Sequence, residues 1–442
     1  MDVFNAPHIW KTRARLVLTL ALLAYMFTLR AQAWAQPIEE GPSTPALPTP
    51  PQTQQLTPTS PEIDPTDPVE DFQFGAFLTA DPGTALAGVP AMFGDSLFRG
   101  GNLTLINMPT ADLTVTLASP LPLAAATRRT LVAEHNKALP VDRVYFNYNH
   151  FHNALRTSAT VVDTVTPATV AVSRDFSVDQ FTLGWEKTFG CGCWSTEFRL
   201  PVAGRYDFDF TSPVGGETAS VAGGELGNLT VIFKRVLHLD CDTVVSAGFG
   251  FDLPTGDNAR SQTVSPVRTS FTLNNDTVYF LPYLAAMGQP DCQRFWHSFV
   301  QLDVPLNAHE YRFATATPPT VVTGEWEDQT LLHIDIGGGY WLHRDVCCCP
   351  SMITGIAAIA ELHYTTALDN TDVDTATVAG AGTQMFDLRN AANRIDVINA
   401  TAGVHFELAH CSTLRVATAL PLRGGDNCWF DAEILVQFAR QF

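Results

Sequence analysis

From Asp142 to the last residue the chain is written in long segments whose side chains alternate between apolar and polar. Within 180–189, Phe181, Leu183, Trp185 and Phe189 share one side, opposite Gln180, Thr182, Glu186 and Thr188. Within 393–409, Ile398, Ala400, Ala402, Val404, Phe406 and Leu408 oppose Asn399, Thr401, His405 and Glu407. Successive side chains of a strand point to opposite faces, so such segments are strands with a different environment on each side. Soluble strands run to about five or six residues, and these run longer. A strand crossing a bilayer at a tilt takes about 9–11. The pattern predicts twelve strands, near 143–154, 175–189, 194–205, 225–238, 243–254, 276–287, 294–308, 329–343, 351–367, 393–409, 413–421 and 429–442.

The connections between these segments are alternately short and long. Short ones fall near 190–193, 239–242, 288–293, 344–350 and 410–412, and long ones near 155–174, 206–224, 255–275, 309–328 and 368–392. Leu200-Pro201, Leu253-Pro254, Val304-Pro305 and Leu420-Pro421 recur as each outgoing strand gives way to a long connection. Proline has no N–H to give to a ladder, so it belongs at strand ends. Short turns on one rim and long loops on the other are the layout of an outer-membrane barrel. An even strand number returns both ends of the chain to the short-turn rim.

The N-terminal third reads differently. Lys11, Arg13 and Arg15 precede the apolar run 16–29 and the small-x-small site Ala33-Trp34-Ala35, so residues 1–35 read as a cleaved secretory signal peptide. Residues 36–70 contain ten prolines among Thr, Ser and Gln. That composition builds no core and predicts an extended tether. Residues 71–141 hold two segments that read as short strands (72–77, 113–117) and an unusually basic stretch, 124–139, readable as a helix or as irregular chain. A plug inside the lumen and a periplasmic collar are both open for this segment. Residues 142–442 form the predicted barrel.

Without residues 1–35 the chain carries 22 basic and 44 acidic residues, a net charge of −22. Nucleic acid is therefore excluded as a partner, because phosphate binding needs basic patches. Charged residues make up 16% of the chain, against about 25% in a typical soluble domain. A low charge fraction without a long apolar run is the composition of a lipid-facing barrel. The expected surroundings are the lipid bilayer of the outer membrane.

Trp185, Trp194, Trp296 and Trp341, with Phe189 and Phe295, lie beside short turns, as an interfacial aromatic belt would. Eight of the nine cysteines sit in short turns: Cys191, Cys193, Cys241, Cys292, Cys347, Cys348, Cys349 and Cys411. An exported chain meets an oxidising compartment, so disulfides on this rim are expected, and an odd number leaves one thiol over. Neither the Cys191-Gly192-Cys193 nor the triplet spacing suits zinc. His150 and His152 share a strand face and read as polar lumen or loop residues more readily than as metal ligands. No nucleophile elbow, zinc-protease helix or phosphate loop is present. No cofactor and no enzymatic activity are expected.

The segment 142–153 (Asp-Arg-Val-Tyr-Phe-Asn-Tyr-Asn-His-Phe-His-Asn), followed by Phe181 to Phe189, resembles a family of uncharacterised secreted barrel proteins. More broadly, Asp142 to Phe442 resembles outer-membrane barrels of the porin and hydrocarbon-transporter type. The last strand, with Ile434, Val436 and Phe438 on one side and Phe442 at its end, is similar to the signal that the barrel insertion machinery reads in such proteins. The resemblance implies an all-β, closed antiparallel barrel that passes or binds small solutes. The proline tether and the rim cysteines depart from general porins. They leave room for a structural envelope anchor with a periplasmic partner, or for a soluble secreted β-sandwich or adhesin.

Overall fold

In the computed structural model the described residues are 86–95 and 101–442, apart from short gaps at 122, 127–128, 166–167, 205, 212–217, 224–225, 264–267, 317, 345–351, 380–381, 391 and 410. The expected signal peptide (1–35) and tether (36–70) lie outside them, as do the stretch 72–77 and Cys347, Cys348 and Cys349.

The twelve expected strands are all present. They are β1 (Arg143–Asp163), β2 (Ala168–Phe189), β3 (Trp194–Ala203), β4 (Leu229–Leu239), β5 (Thr243–Leu253) and β6 (Tyr279–Gly288). The second half comprises β7 (Arg294–Pro305), β8 (Leu331–Arg344), β9 (Ile353–Ala367), β10 (Asp396–Leu408), β11 (Ser412–Pro421) and β12 (Ala432–Gln441). Each pairs antiparallel with its sequence neighbours, and β12 returns to β1 with Ile434 opposite His150, Phe438 opposite Phe146 and Gln441 opposite Arg143. The sheet is a closed ring. Closure leaves no unpaired edge, so the backbone hydrogen bonds of the ring are met internally. Two stacked layers are not what forms, and the β-sandwich reading is overturned.

Alternation sets the two faces. On β12, Ile434 and Phe438 point outward, 47% and 43% exposed, while Glu433 and Gln437 are fully buried. On β2, Leu183 and Trp185 point outward and Thr182 and Glu186 inward. The ring is therefore inverted relative to a soluble domain, with oil outside and polar groups inside.

The long connections were expected as loops, and they are structured. Four of them carry hairpins: Tyr206–Thr211 with Thr218–Gly223, Ala259–Thr263 with Thr269–Leu273, His309–Ala316 with Pro319–Trp326, and Asp374–Ala379 with Thr383–Arg389. The first three join into a six-stranded sheet. A fifth hairpin, Asn102–Thr110 with Leu113–Pro120, comes from the N-terminal segment and fits between Thr383–Arg389 and the far end of β1. Strands β1 and β2 extend beyond the ring to meet it, pairing as far as Asp163 with Ala168. Phe271, Phe313 and Phe386, one from each of three hairpins, pack together with ring centroids 5.3 Å and 5.1 Å from Phe386. This outer tier therefore has an apolar interior of its own.

Candidate functional site: a filled lumen

Residues 86–94 and 129–141 contain almost no regular structure, yet nearly all are buried. Of the two readings left open for 124–139, the irregular one forms. A 3₁₀ turn at Leu123–Ala126 is followed by isolated turns. An irregular buried backbone must find partners for its N–H and C=O groups outside itself. Here the inward side chains of the ring supply them. Glu361 on β9 accepts from the N–H groups of Phe93 (2.8 Å) and Gly94 (3.1 Å). Gln437 on β12 donates to the Phe93 carbonyl (2.9 Å), and Arg415 on β11 donates to that of Ala91 (2.6 Å). Gln301 on β7 accepts from the Val132 N–H (2.6 Å) and donates to the Thr130 carbonyl (2.8 Å). Arg199 on β3 donates to the Leu131 and Val132 carbonyls, and Arg143 on β1 to that of His135. Partners on six strands around the ring place both passes of the chain inside it.

Several charged groups of the wall are themselves paired. Glu186 binds Arg143 (2.8 Å) and Lys234 (3.0 Å), and Lys234 also donates to Asn136 Oδ1 and the Lys137 carbonyl. Glu197 accepts from Arg199 (2.8 Å) and from the Tyr145 hydroxyl. Arg129, on the second pass, lies 3.5 Å from Asp303 and 3.7 Å from Asp328. Buried charges hold only when paired and hydrogen-bonded, and this network meets that condition through the two passes as much as through the wall.

Some space remains. A cavity of about 350 Å³ opens near the short-turn rim, lined by Lys137, Arg143, His405, Glu407, Arg415 and neighbours. A second, of about 510 Å³, lies beside β1 where its pairing shifts register between Phe151 and Leu155, with Asn153 at φ +53°.

Several residues singled out from sequence fall as expected, and others do not. Trp185, Trp194 and Trp296 are exposed on the outer face, Trp185 stacked on Phe198 and Trp194 on Phe189. Trp341 turns inward, 3% exposed, and packs against Phe295 and His405. It shares the parity of His333 and Asp335. The glycines at 337 to 339 carry no side chain to reveal that parity in the sequence. Phe295 is inward as well. Ile434, Phe438 and Phe442 are on the outer face, with Val436 half-buried between them. Cys191, Cys193, Cys241, Cys292 and Cys411 are exposed free thiols, and Cys428 is half-buried and free, so no disulfide links the described cysteines. His150 and His152 face outward rather than into the lumen. His150 binds Asp179 (2.7 Å), and the two imidazole centroids stand 6.3 Å apart. Sequence reading did not foresee Gln301, Arg415 or Asp335 as functional residues. Their only signal was a polar side chain on the inward parity of a strand.

A closed antiparallel ring of twelve membrane-length strands, apolar outside and polar within, is an outer-membrane β-barrel. No protein-family model and no curated protein matches the sequence. Among solved structures the chain is similar to an outer membrane channel from Pseudomonas putida F1, with 11% identity, 69% of this chain and 97% of that one covered, and a TM-score of 0.40. It is also similar to the toluene transporter TbuX of Ralstonia pickettii (8% identity, 69% and 90% covered, TM-score 0.35). A third similarity is to the translocator domain of autotransporter NalP from Neisseria meningitidis (7% identity, 68% and 87% covered, TM-score 0.36).

Proposed function

We propose that this barrel is a non-enzymatic channel for small solutes whose lumen is closed by its own N-terminal segment. The observation that carries the reading is the way the segment is held. Its irregular backbone is bound through wall side chains such as Glu361, Gln301, Arg199 and Arg415, while Met92, Phe93 and Leu131 share a buried apolar cluster with wall residues such as Phe299 and Leu435. A twelve-stranded ring is wider than the eight-stranded case that side chains fill alone. A polar wall exchanges protein partners for water with little net loss, so displacing the plug leaves a wettable pore. In this reading residues 1–35 are the export signal, 36–70 the periplasmic tether and 71–141 the plug with its outer hairpin. Ile434, Val436, Phe438 and Phe442 present the insertion signal, and any partner of the tether is periplasmic.

Planar-bilayer recording tests it. The refolded full chain is expected to be closed or to open in rare bursts. A chain lacking residues 36–141, shown to be folded by heat-modifiable migration, is expected to conduct steadily. Absence of conductance from both chains defeats the channel reading.

A further inference from the structure

The plug meets the wall at one point where the chemistry is not that of an ordinary ion pair. Asp335 on β8 lies directly across from His363 on β9, and His363 directly across from Asn399 on β10. The three form a row on the inward face. Asp95, which follows the plug residues that Glu361 holds, faces this row. Its carboxylate accepts from Asn399 Nδ2. His363 Nδ1 is 2.9 Å from Asp335 Oδ1 and 3.7 Å from Asp95 Oδ1. His363 Nε2 is 3.2 Å from Glu361 Oε2. The fourth carboxylate, Glu433, is fully buried on β12.

We propose that Asp95, Asp335 and His363 bind a divalent first-row metal ion that ties the plug to the wall. One oxygen or nitrogen from each of the three lies within 4.8 Å of the others. Ligand atoms around a tetrahedral ion with bonds of about 2.0–2.1 Å stand about 3.3 Å apart, and the two distances from Nδ1 bracket that value. Glu361 directs the imidazole. Without an ion Nδ1 is hydrogen-bonded to Asp335; a metal taking Nδ1 moves the proton to Nε2, beside the Glu361 carboxylate, which gives the usual carboxylate–histidine–metal arrangement. Charge points the same way. Four buried or nearly buried carboxylates surround a single imidazole, and buried carboxylates are normally paired or bound to metal. Asp335 Oδ2, Asn399 Oδ1 and Glu433 Oε2 are buried with no hydrogen-bond partner. Two carboxylates with one imidazole suit zinc, manganese or iron more than a thiolate-seeking metal. One ligand comes from the plug and two from the wall, so the ion acts as a latch; this part rests on the plug reading above.

The test uses the full refolded chain in detergent, stripped with chelator and titrated with Co²⁺. The visible spectrum of Co²⁺ separates oxygen and nitrogen ligands from thiolates, which matters because the rim carries exposed cysteines. The expected result is one equivalent bound without a thiolate charge-transfer band. A loss of affinity of tenfold or more is expected in both Asp335→Asn and Asp95→Asn. Asp95 is not on a ring strand, so Asp95→Asn keeps the test valid should the wall variant fold poorly. No binding, binding through thiolates only, or affinity unchanged in either variant overturns the proposal. Because the readout is spectroscopic, it stands or falls separately from conductance.

Discussion

Single residues show how strictly each face is specified. Leu183, 59% exposed near the middle of the ring portion of β2, faces the outer medium between Phe146 and Leu200 of the neighbouring strands. Leu183→Arg places a cation against lipid hydrocarbon, at a cost of about 2–4 kcal/mol near the bilayer midplane. Denaturant titration of the folded protein in vesicles should show that loss, and a much smaller one in detergent. Its neighbour Gly184 faces the other way. A Cβ there would sit 1.9 Å from the Tyr145 ring, so the glycine is what lets Tyr145 lie flat against the wall and reach Glu197. At the short-turn rim, Asp142 joins the plug to the ring. It accepts from the Thr188 N–H and hydroxyl and from Lys187, while its carbonyl accepts from the Phe442 N–H (3.2 Å). Partial burial pushes its carboxyl up, but Lys187 and the Thr188 donors outweigh that and hold it below its ordinary value. A depressed folded-state value means the contribution is present above the unfolded carboxylate range, near pH 4, and is lost as pH falls through the folded value. Lys187 is 48% exposed, so solvent screening keeps the contribution under about 1 kcal/mol. Acid titration of stability should show a small step below pH 4 that is missing in Asp142→Asn.

Among the elements, the hairpin Asn102–Thr110 with Leu113–Pro120 connects the two parts of the molecule. It leaves the first pass through the lumen, buries Leu103, Leu105, Val115 and Leu117 in the outer tier, and returns to the second pass. Leu113 to Ala118 pair with Ser158 to Asp163 on the far end of β1. Replacing 102–120 by a short Gly/Ser linker removes that partner and exposes an edge. Limited proteolysis should then cut within 155–174. Heat-modifiable migration should persist, because every ring strand keeps both neighbours. Retained protease resistance in this region would show that the outer tier does not depend on the hairpin.

At the scale of the whole molecule, the inward face of the ring carries more acid than base. The fully buried side chains on the twelve ring strands include seven carboxylates (Glu186, Glu197, Asp252, Asp303, Asp335, Glu361 and Glu433) and four cations (Arg143, Arg199, Lys234 and Arg415). The N-terminal segment adds Arg129 and Lys137 but also Glu134 and Asp95, so it leaves that excess in place. Removing the plug therefore uncovers an acidic wall, and a narrow passage lined by one sign of charge concentrates the opposite ion. Reversal potentials of the chain lacking 36–141, measured across a salt gradient, are expected to show cation preference that weakens as salt screens the wall. Anion preference would contradict this account of the lumen.

The ring is written in the local pattern of the chain. Strand number, the short-turn rim and the lipid-facing side of strands such as β2, β10 and β12 were legible, because alternation is a local property and the bilayer imposes the same requirement on every strand. Trp341 is the instructive failure, since the glycines before it erase the alternation that would have placed it. The remainder depends on contacts that no local pattern encodes. That 86–95 and 129–141 fill the lumen, that five hairpins assemble above it, and that Asp335, His363 and Asn399 line up opposite Asp95 all follow from register and closure between distant parts of the chain. An irregular segment carries no period, and the partners of its backbone are chosen by the wall it is pressed against.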